Sequence, residues 1–221
     1  MRFRDRRDAG RQLARGLHLP PSSPVVILGL PRGGVPVAYE VALALNAPLD
    51  LFVVRKLGVP GHEELAMGAI SEGGFRALNL DLIEELRIPA AVVERVTAAE
   101  ARELARRERL YRGSLPAPAL KARTVVLVDD GLATGSTMAA AVAGVRAQAP
   151  ARVIVAVPVA SPEACTMLGA TADECVSLLT PPHFGGVGEW YDDFSQTSDE
   201  EVRALLEAAR RRIGADPPRL P

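Results

Sequence analysis

The sequence predicts an α/β domain with a mostly parallel five-stranded core sheet and helices on both faces. Three observations carry that prediction. Short, predominantly apolar runs recur at Val25 to Leu30, Leu51 to Val54, Val125 to Val128, Val153 to Val159 and Cys175 to Leu179. None shows the alternation of a half-exposed strand and none is long enough for a helix, so each reads as a strand buried on both faces. Helical periodicity fills intervals between them, at Val35 to Leu45, Met138 to Ala147 and Pro162 to Leu168. Strand and helix in alternation place successive strands parallel in one sheet. A chain of 221 residues, 48% of them apolar, suffices for one such domain with a sizeable core. A single domain over 1–221 is therefore expected, with its core at about 24–180, a helical insertion at about 80–114 and a C-terminal hood and tail at about 181–214.

Taken in order, the chain opens on an arginine-rich stretch in which Arg2, Arg4, Arg6, Arg7, Arg11 and Arg15 could form a basic arm. The first core strand runs into Pro31-Arg32-Gly33-Gly34 and then a helix, with Pro36 in its first turn, where a missing N–H costs little. Paired glycines let backbone approach a ligand closely, and Arg32 offers a bidentate anion-binding head. The second strand, Leu51 to Val54, delivers Arg55 and Lys56 at its end, and Lys56 is conspicuous because the chain's lysines are Lys56 and Lys121. Gly58 to Gly68 reads as a loop bearing His62, Glu63 and Glu64, without the second histidine that a protein metal site would want. Between Leu80 and Ser114 the pattern becomes a charged helix with i,i+4 pairs such as Glu103 with Arg107. In the tail, Phe184, Trp190, Tyr191 and Phe194 cluster, and Ser198 with Glu201 forms a capping box opening an amphipathic helix. Cys165 and Cys175 have neither metal-ligand nor disulfide-framework spacing and read as core thiols.

The richest stretch is Val125 to Thr137, VVLVDDGLATGST. A buried strand ends in two adjacent carboxylates, Asp129 and Asp130, followed by a loop of small residues that runs into a helix. Ligands of open α/β sheets bind at the carboxyl ends of the strands, and a glycine loop entering a helix presents N–H groups and a dipole to phosphate. Carboxylates accept hydrogen bonds from vicinal hydroxyls, so anion and polyol binding stand side by side. Two familiar phosphate loops are excluded: there is no Gly-Lys-Ser/Thr, and neither Gly131 to Thr137 nor Gly29 to Gly34 supplies G-x-G-x-x-G.

This string resembles the phosphoribosyl-diphosphate signature of the type I phosphoribosyltransferase family. The resemblance implies that Asp129 and Asp130 hold the ribose hydroxyls. It implies that Gly131, Leu132, Ala133, Thr134, Gly135, Ser136 and Thr137 cradle the 5′-phosphate. Pro31, Arg32, Gly33 and Gly34 would grip diphosphate, with Pro31-Arg32 a candidate non-proline cis peptide, and Lys56 would add a cation there. Asp129, Asp130, Arg32 and Lys56 are thus the expected catalytic set, and Phe184, Trp190, Tyr191 and Phe194 the expected acceptor hood. In the family a mobile loop ahead of the signature closes over the site. Arg106, Arg107, Arg109, Tyr111 and Arg112 are candidates for that part. Mg2+ is the expected cofactor, held mainly by substrate oxygens and water.

The expected activity is transfer of the 5-phosphoribosyl group from phosphoribosyl diphosphate to a nitrogen of a base, with release of diphosphate. The alternative is a non-catalytic sensor of the same ligand. Ala133 stands where 6-oxopurine enzymes commonly carry Asp, which favours an adenine or pyrimidine-type acceptor, while the PRGG loop looks more like that of some oxopurine enzymes. Both remain open. The expected partners are small molecules, and a homodimer is compatible with the family. A net charge of −1 argues against general binding of nucleic acid. With no apolar run of membrane-spanning length and no signal-peptide pattern at the start, a cytoplasmic location is expected.

Overall fold

Val26, Ile27 and Leu28 point alternately to opposite faces of one sheet, yet all three are buried. The computed structural model describes residues 2–19 and 24–215. The remainder of the expected 1–221 span, Met1, 20–23 and 216–221, lies outside the described residues. Its elements are α1 (Arg6–Gly16), β1 (Val25–Gly29), α2 (Gly34–Leu45), β2 (Leu49–Leu51), β3 (Val54–Val59), β4 (His62–Ser71), β5 (Phe75–Leu78), α3 (Leu80–Glu85), α4 (Ala90–Arg112), β6 (Thr124–Val128), α5 (Ser136–Arg146), β7 (Arg152–Val159), α6 (Pro162–Gly169), β8 (Glu174–Leu179) and α7 (Asp199–Ala215). Five strands form a parallel sheet in the order β2-β1-β6-β7-β8.

Alternate residues of the central strands feed two apolar layers. Ile27, Val126, Val128, Ile154 and Ala156 pack with Leu13 of α1, Val41 of α2 and Leu206 of α7. Val26, Leu28, Val125, Leu127 and Val155 pack with Met138 and Val142 of α5 and Leu168 of α6. Strands buried on both faces are the reason these runs are apolar without alternation. The expected fold class is the observed one.

Three local expectations are corrected. The apolar run Leu51 to Val54 is divided between two sheets: β2 ends at Leu51, and Val54 opens β3 of a separate antiparallel sheet ordered β3-β4-β5. Buried residues serve either sheet equally well, so hydrophobicity did not mark the break at Phe52 and Val53. Arg55 and Lys56 accordingly lie within β3 rather than at the end of a core strand. Gly58 to Gly68 is a β-hairpin rather than a loop, turning at Pro60-Gly61 with a register irregularity at Gly58. Its charged outer half, His62 to Leu65, is exposed, whereas Met67 to Ser71 packs inward. Finally, the arginine-rich start is no free arm. Asp5 caps α1 by accepting from the Asp8 amide at 2.7 Å, and Ala9, Gly10, Leu13 and Ala14 are buried.

The expected helical insertion is divided into α3 and α4, and its long helix is tied to the core by charge. Arg112, in the last turn of α4, donates from Nη2 to Glu72 Oε2 at 2.9 Å and to the Leu51 carbonyl at 3.1 Å. Its Nε lies 3.2 Å from both Asp50 oxygens. Glu72 also accepts from the Val53 amide at 2.7 Å. Burial raises the Glu72 carboxyl to about 7, against the opposing pull of Arg112. No described helix is long and apolar enough to cross a membrane.

Removing Arg112 strands two buried carboxylates. Arg112→Ala should therefore destabilise the fold by about 3–5 kcal/mol in denaturant titration. Because Glu72 is raised in the folded state, its protonation favours folding, with the benefit present below the ordinary carboxylate range and lost as pH rises through about 7. Stability measured from pH 5 to 8 should fall by up to about 2 kcal/mol in the wild type, and this component should vanish in Glu72→Gln.

Candidate active site

β1 and β6 are neighbours in register, with Gly29 beside Val128, so the loops that follow them leave the sheet edge side by side. The first, Pro31 to Gly33, leads into α2; the second, Asp129 to Gly135, leads into α5. The Pro31-Arg32 peptide is cis, the geometry the resemblance implied for it. The loops touch. A Cβ on Gly34 would stand 2.6 Å from the Val128 carbonyl and 2.8 Å from the Asp129 Cα, and one on Gly33 would collide with the Asp130 carboxylate. Glycine is required at Gly34 by contact with backbone rather than by dihedral angle, while at Gly33 the contact is with a side chain.

Asp129 and Asp130 are thereby largely enclosed. Both carboxyls are raised above the ordinary range, chiefly by desolvation. At Asp129 the neighbouring Asp130 adds to the shift, while at Asp130 the Arg6 guanidinium opposes it. Arg6 Nε donates to Asp130 Oδ2 at 2.8 Å, and the Tyr191 hydroxyl donates to the Asp130 carbonyl at 2.6 Å.

The rest of the second loop is pinned from below and open above. Leu132 is buried, donates its amide to the Val159 carbonyl at 2.9 Å and accepts from the Ser161 amide at 2.9 Å. Ser161 Oγ donates to the Ala133 carbonyl at 2.7 Å. Gly135 takes a positive φ of 72° immediately before α5, and the side chains of Thr134, Ser136 and Thr137 are exposed, with Thr134 Oγ1 and Ser136 Oγ 3.1 Å apart. An exposed set of hydroxyls over an open helix N-terminus suits a phosphate.

Two clefts flank these loops. One of about 570 Å³ is bounded by Thr137, by Lys56 and Arg55 on β3, and by Val96 and Glu100 on α4. Arg55 is paired with Glu100 at 2.6 Å, whereas Lys56 reaches only the exposed Glu64 at 3.9 Å. The other, of about 400 Å³, gathers Pro31, Arg32, Arg106, Arg107, Tyr111 and Asp199. Here Arg32 lies 3.8 Å from Asp199, which accepts from the Tyr111 hydroxyl at 2.6 Å. Of the α4 candidates, Arg106, Arg107 and Tyr111 face this cleft, and Arg112 is committed to the core.

The same architecture occurs in the crystal structure of the protein TT1426 from Thermus thermophilus. It superposes with a TM-score of 0.82 at 48% identity, covering 93% of this chain and 98% of that one. Residues 4–193 match the family model described as "Phosphoribosyl transferase domain". The chain belongs to that family. Two proteins from strains of Mycobacterium tuberculosis, among them "Putative phosphoribosyl transferase Rv0571c", are 48% identical to this phosphoribosyl transferase domain over 225 residues, covering 98% of it. The chain spans 51% of the length of those relatives.

In this phosphoribosyl transferase domain the four tail aromatics do not form one stacking surface. Tyr191 is buried between Phe3, with ring centroids 5.5 Å apart, and Phe194 at 5.0 Å. The Arg6 guanidinium lies 4.0 Å from the Phe194 ring centroid. Phe184 and Trp190 pack half-buried against the same small cluster. The tail is further stitched to the N-terminal segment by backbone bonds from Phe3 to Trp190 and from Asp192 to Phe3, each 2.8 Å. Sequence reading missed Arg6 and Asp199 as site neighbours, although Asp5 followed by Asp8 three residues later marked a helix start beneath the arginines.

The glycine contacts generate a paired prediction. Gly34→Ala presses on backbone and should lower stability by about 1–3 kcal/mol in thermal unfolding. Gly33→Ala presses on a side chain that can shift, so its larger effect should fall on ligand binding. Equal melting losses in the two variants, with unchanged binding, would contradict this.

Proposed function

We propose that this domain transfers the 5-phosphoribosyl group of phosphoribosyl diphosphate to a nitrogen of a base-like acceptor, with Mg2+ as cofactor and release of diphosphate. The observation that chiefly supports the reading is the meeting, at one sheet edge, of a carboxylate pair, an open phosphate-binding helix start and the Pro31-Arg32-Gly33-Gly34 loop. Each answers one part of the donor. In this reading Asp129 and Asp130 accept from the 2′ and 3′ hydroxyls, and their charge opposes the positive charge that develops at C1 as diphosphate departs. Amides from Gly131 to Thr137, with the hydroxyls of Thr134, Ser136 and Thr137, hold the 5′-phosphate. Arg32, lining one cleft, and Lys56, lining the other, supply the cations for diphosphate.

Among the described residues no three His, Cys, Asp or Glu side chains gather as metal ligands. An ion carried by substrate oxygens and water needs no such group. When bound, Mg2+ offsets charge on the leaving group. In this reading the exposed tip of the β3-β4 hairpin, whose Pro60 and Glu63 line the cleft that holds Lys56 and Thr137, covers the site and excludes water.

The acceptor side is assigned by exclusion. Ala133 supplies no general base, which favours adenine or a pyrimidine-type base over a 6-oxopurine. Tyr191 is buried behind Asp130, so contact with a planar acceptor falls to the less buried Phe184, Trp190 and Phe194.

Isothermal titration with phosphoribosyl diphosphate and Mg2+ tests the donor site. The wild type should bind, and Asp129→Asn combined with Asp130→Asn should weaken binding by roughly 100-fold or more, the loss of two charge-assisted contacts. An unaffected double variant overturns the assignment. Diphosphate release across a panel of bases then tests catalysis, and binding without release from any base would favour a sensor.

A further inference from the structure

Asp130 has a partner that the transfer reaction does not require. Arg6, from the first turn of α1, reaches across the sheet edge to donate to Asp130 Oδ2 at 2.8 Å, and a Cβ on Gly33 would lie 3.1 Å from its Nε. Only 12% of the Arg6 side chain is exposed. It is held on three sides: Nη1 donates to the Ser195 carbonyl at 2.6 Å, the Phe194 ring lies against the guanidinium, and Asp130 receives Nε. Burying an arginine this far is costly unless its geometry is used. The pairing is also selective, because the group it touches is one carboxylate of an adjacent, poorly solvated pair.

We propose that Arg6 is a positioning residue for the donor site, supplying the counter-charge that keeps Asp130 in its hydroxyl-accepting form and aimed along the sheet edge. The inference rests on the reading of Asp129 and Asp130 as the ribose-binding pair. Two carboxylates side by side in a poorly solvated place repel each other, and one of them tends to take up a proton. A protonated carboxyl loses an acceptor and its ability to oppose charge at C1. The groups facing Asp130 are Arg6 from α1, Asp129 on its own loop and Tyr191 from the tail, while Asp193 acts on Arg6. Arg6 is the cation of that set, and it opposes the upward push of burial on Asp130. The N-terminal helix and the C-terminal tail, both outside the parallel core, thus set the charge of the catalytic edge together.

The test is titration calorimetry with phosphoribosyl diphosphate and Mg2+ on the full chain from pH 5.5 to 8.5, comparing wild type, Arg6→Gln, Arg6→Lys and Asp130→Asn. Arg6→Gln should weaken binding by about 10-fold at pH 6 and less at pH 8, moving the midpoint of the pH profile upward, because Asp130 without its cation ionises at higher pH. Arg6→Lys should recover most of the loss. In an Asp130→Asn background, Arg6→Gln should change nothing further. Protons on the ligand titrate alike in every variant and cancel in the comparison. Should Arg6→Gln lose its cooperative melt, Phe194→Leu, which loosens the guanidinium but keeps its charge, should give a smaller shift in the same direction. An unchanged pH profile in the folded variants overturns the proposal, leaving Arg6 a packing residue. Tighter binding by Arg6→Gln also overturns it, by showing that Arg6 competes for the ribose seat. A wild type that binds no donor at any pH removes the underlying reading instead, an outcome distinct from either.

Discussion

The contact between the β1-α2 and β6-α5 loops is the constraint from which the site follows. Parallel strands in register end at the same level, so their loops compete for the same space above the sheet. A side chain at Gly34 would force them apart, and one at Gly33 would displace the Asp130 carboxylate. Because both are glycine, α2 can begin directly over the end of β6, and the acid pair is enclosed where it would otherwise be solvated. The unusual electrostatics of Asp129 and Asp130 are thus consequences of a steric fit. Their desolvation raises both carboxyls, with Arg6 opposing the shift.

Charge is withdrawn from solvent at two places in this fold, with different consequences. Around Arg112 the charges satisfy one another: Asp50, Glu72 and the Leu51 carbonyl occupy the guanidinium, joining α4 to β2 and to the β4-β5 connection of the antiparallel sheet. Such a cluster adds little net stability over an apolar equivalent, but it demands one register of α4. With that end fixed, Arg106, Arg107 and Tyr111, earlier on the same helix, line the cleft that holds Arg32. At the sheet edge the charges are not matched so neatly, since two carboxylates share the field of Arg6. Incomplete compensation is what leaves a carboxylate available to a ligand.

The core and the two loops at its carboxyl edge were legible in the sequence because their residue types are demanded locally. Fully apolar runs mark strands covered on both faces, and Asp129 to Thr137 combines acids, small residues and a helix start that few other structures need together. What was illegible depended on contacts remote in the chain. Phe52 and Val53 are as apolar as the strands on either side, so the change of sheet left no mark. The hairpin over β3 and β4 was hidden because its outer half carries His62, Glu63 and Glu64 and reads as polar loop, although Pro60-Gly61 was a turn signal in plain view. Arg6 was one of six arginines near the start, and nothing local distinguishes the one that crosses 124 positions to reach Asp130.

That last pairing changes how the tail should be understood. An aromatic cluster near a binding site invites a stacking role for every ring, but rings buried on both faces cannot receive a planar ligand. Tyr191 is such a ring, occupied by Phe3, Phe194 and the Asp130 carbonyl, whereas Phe194, which carries Arg6, stays 37% exposed. These contacts all converge on Asp130, from two segments that are joined to each other by backbone hydrogen bonds between Phe3 and the Trp190 to Asp192 stretch. The two segments therefore act as a brace for the carboxylate rather than as an independent lid. A brace of this kind couples the aromatic tail to the acid pair physically. Any group that displaces Phe194 also moves the cation beside Asp130, so contact at the aromatic tail and charge at the acid pair are not independent variables.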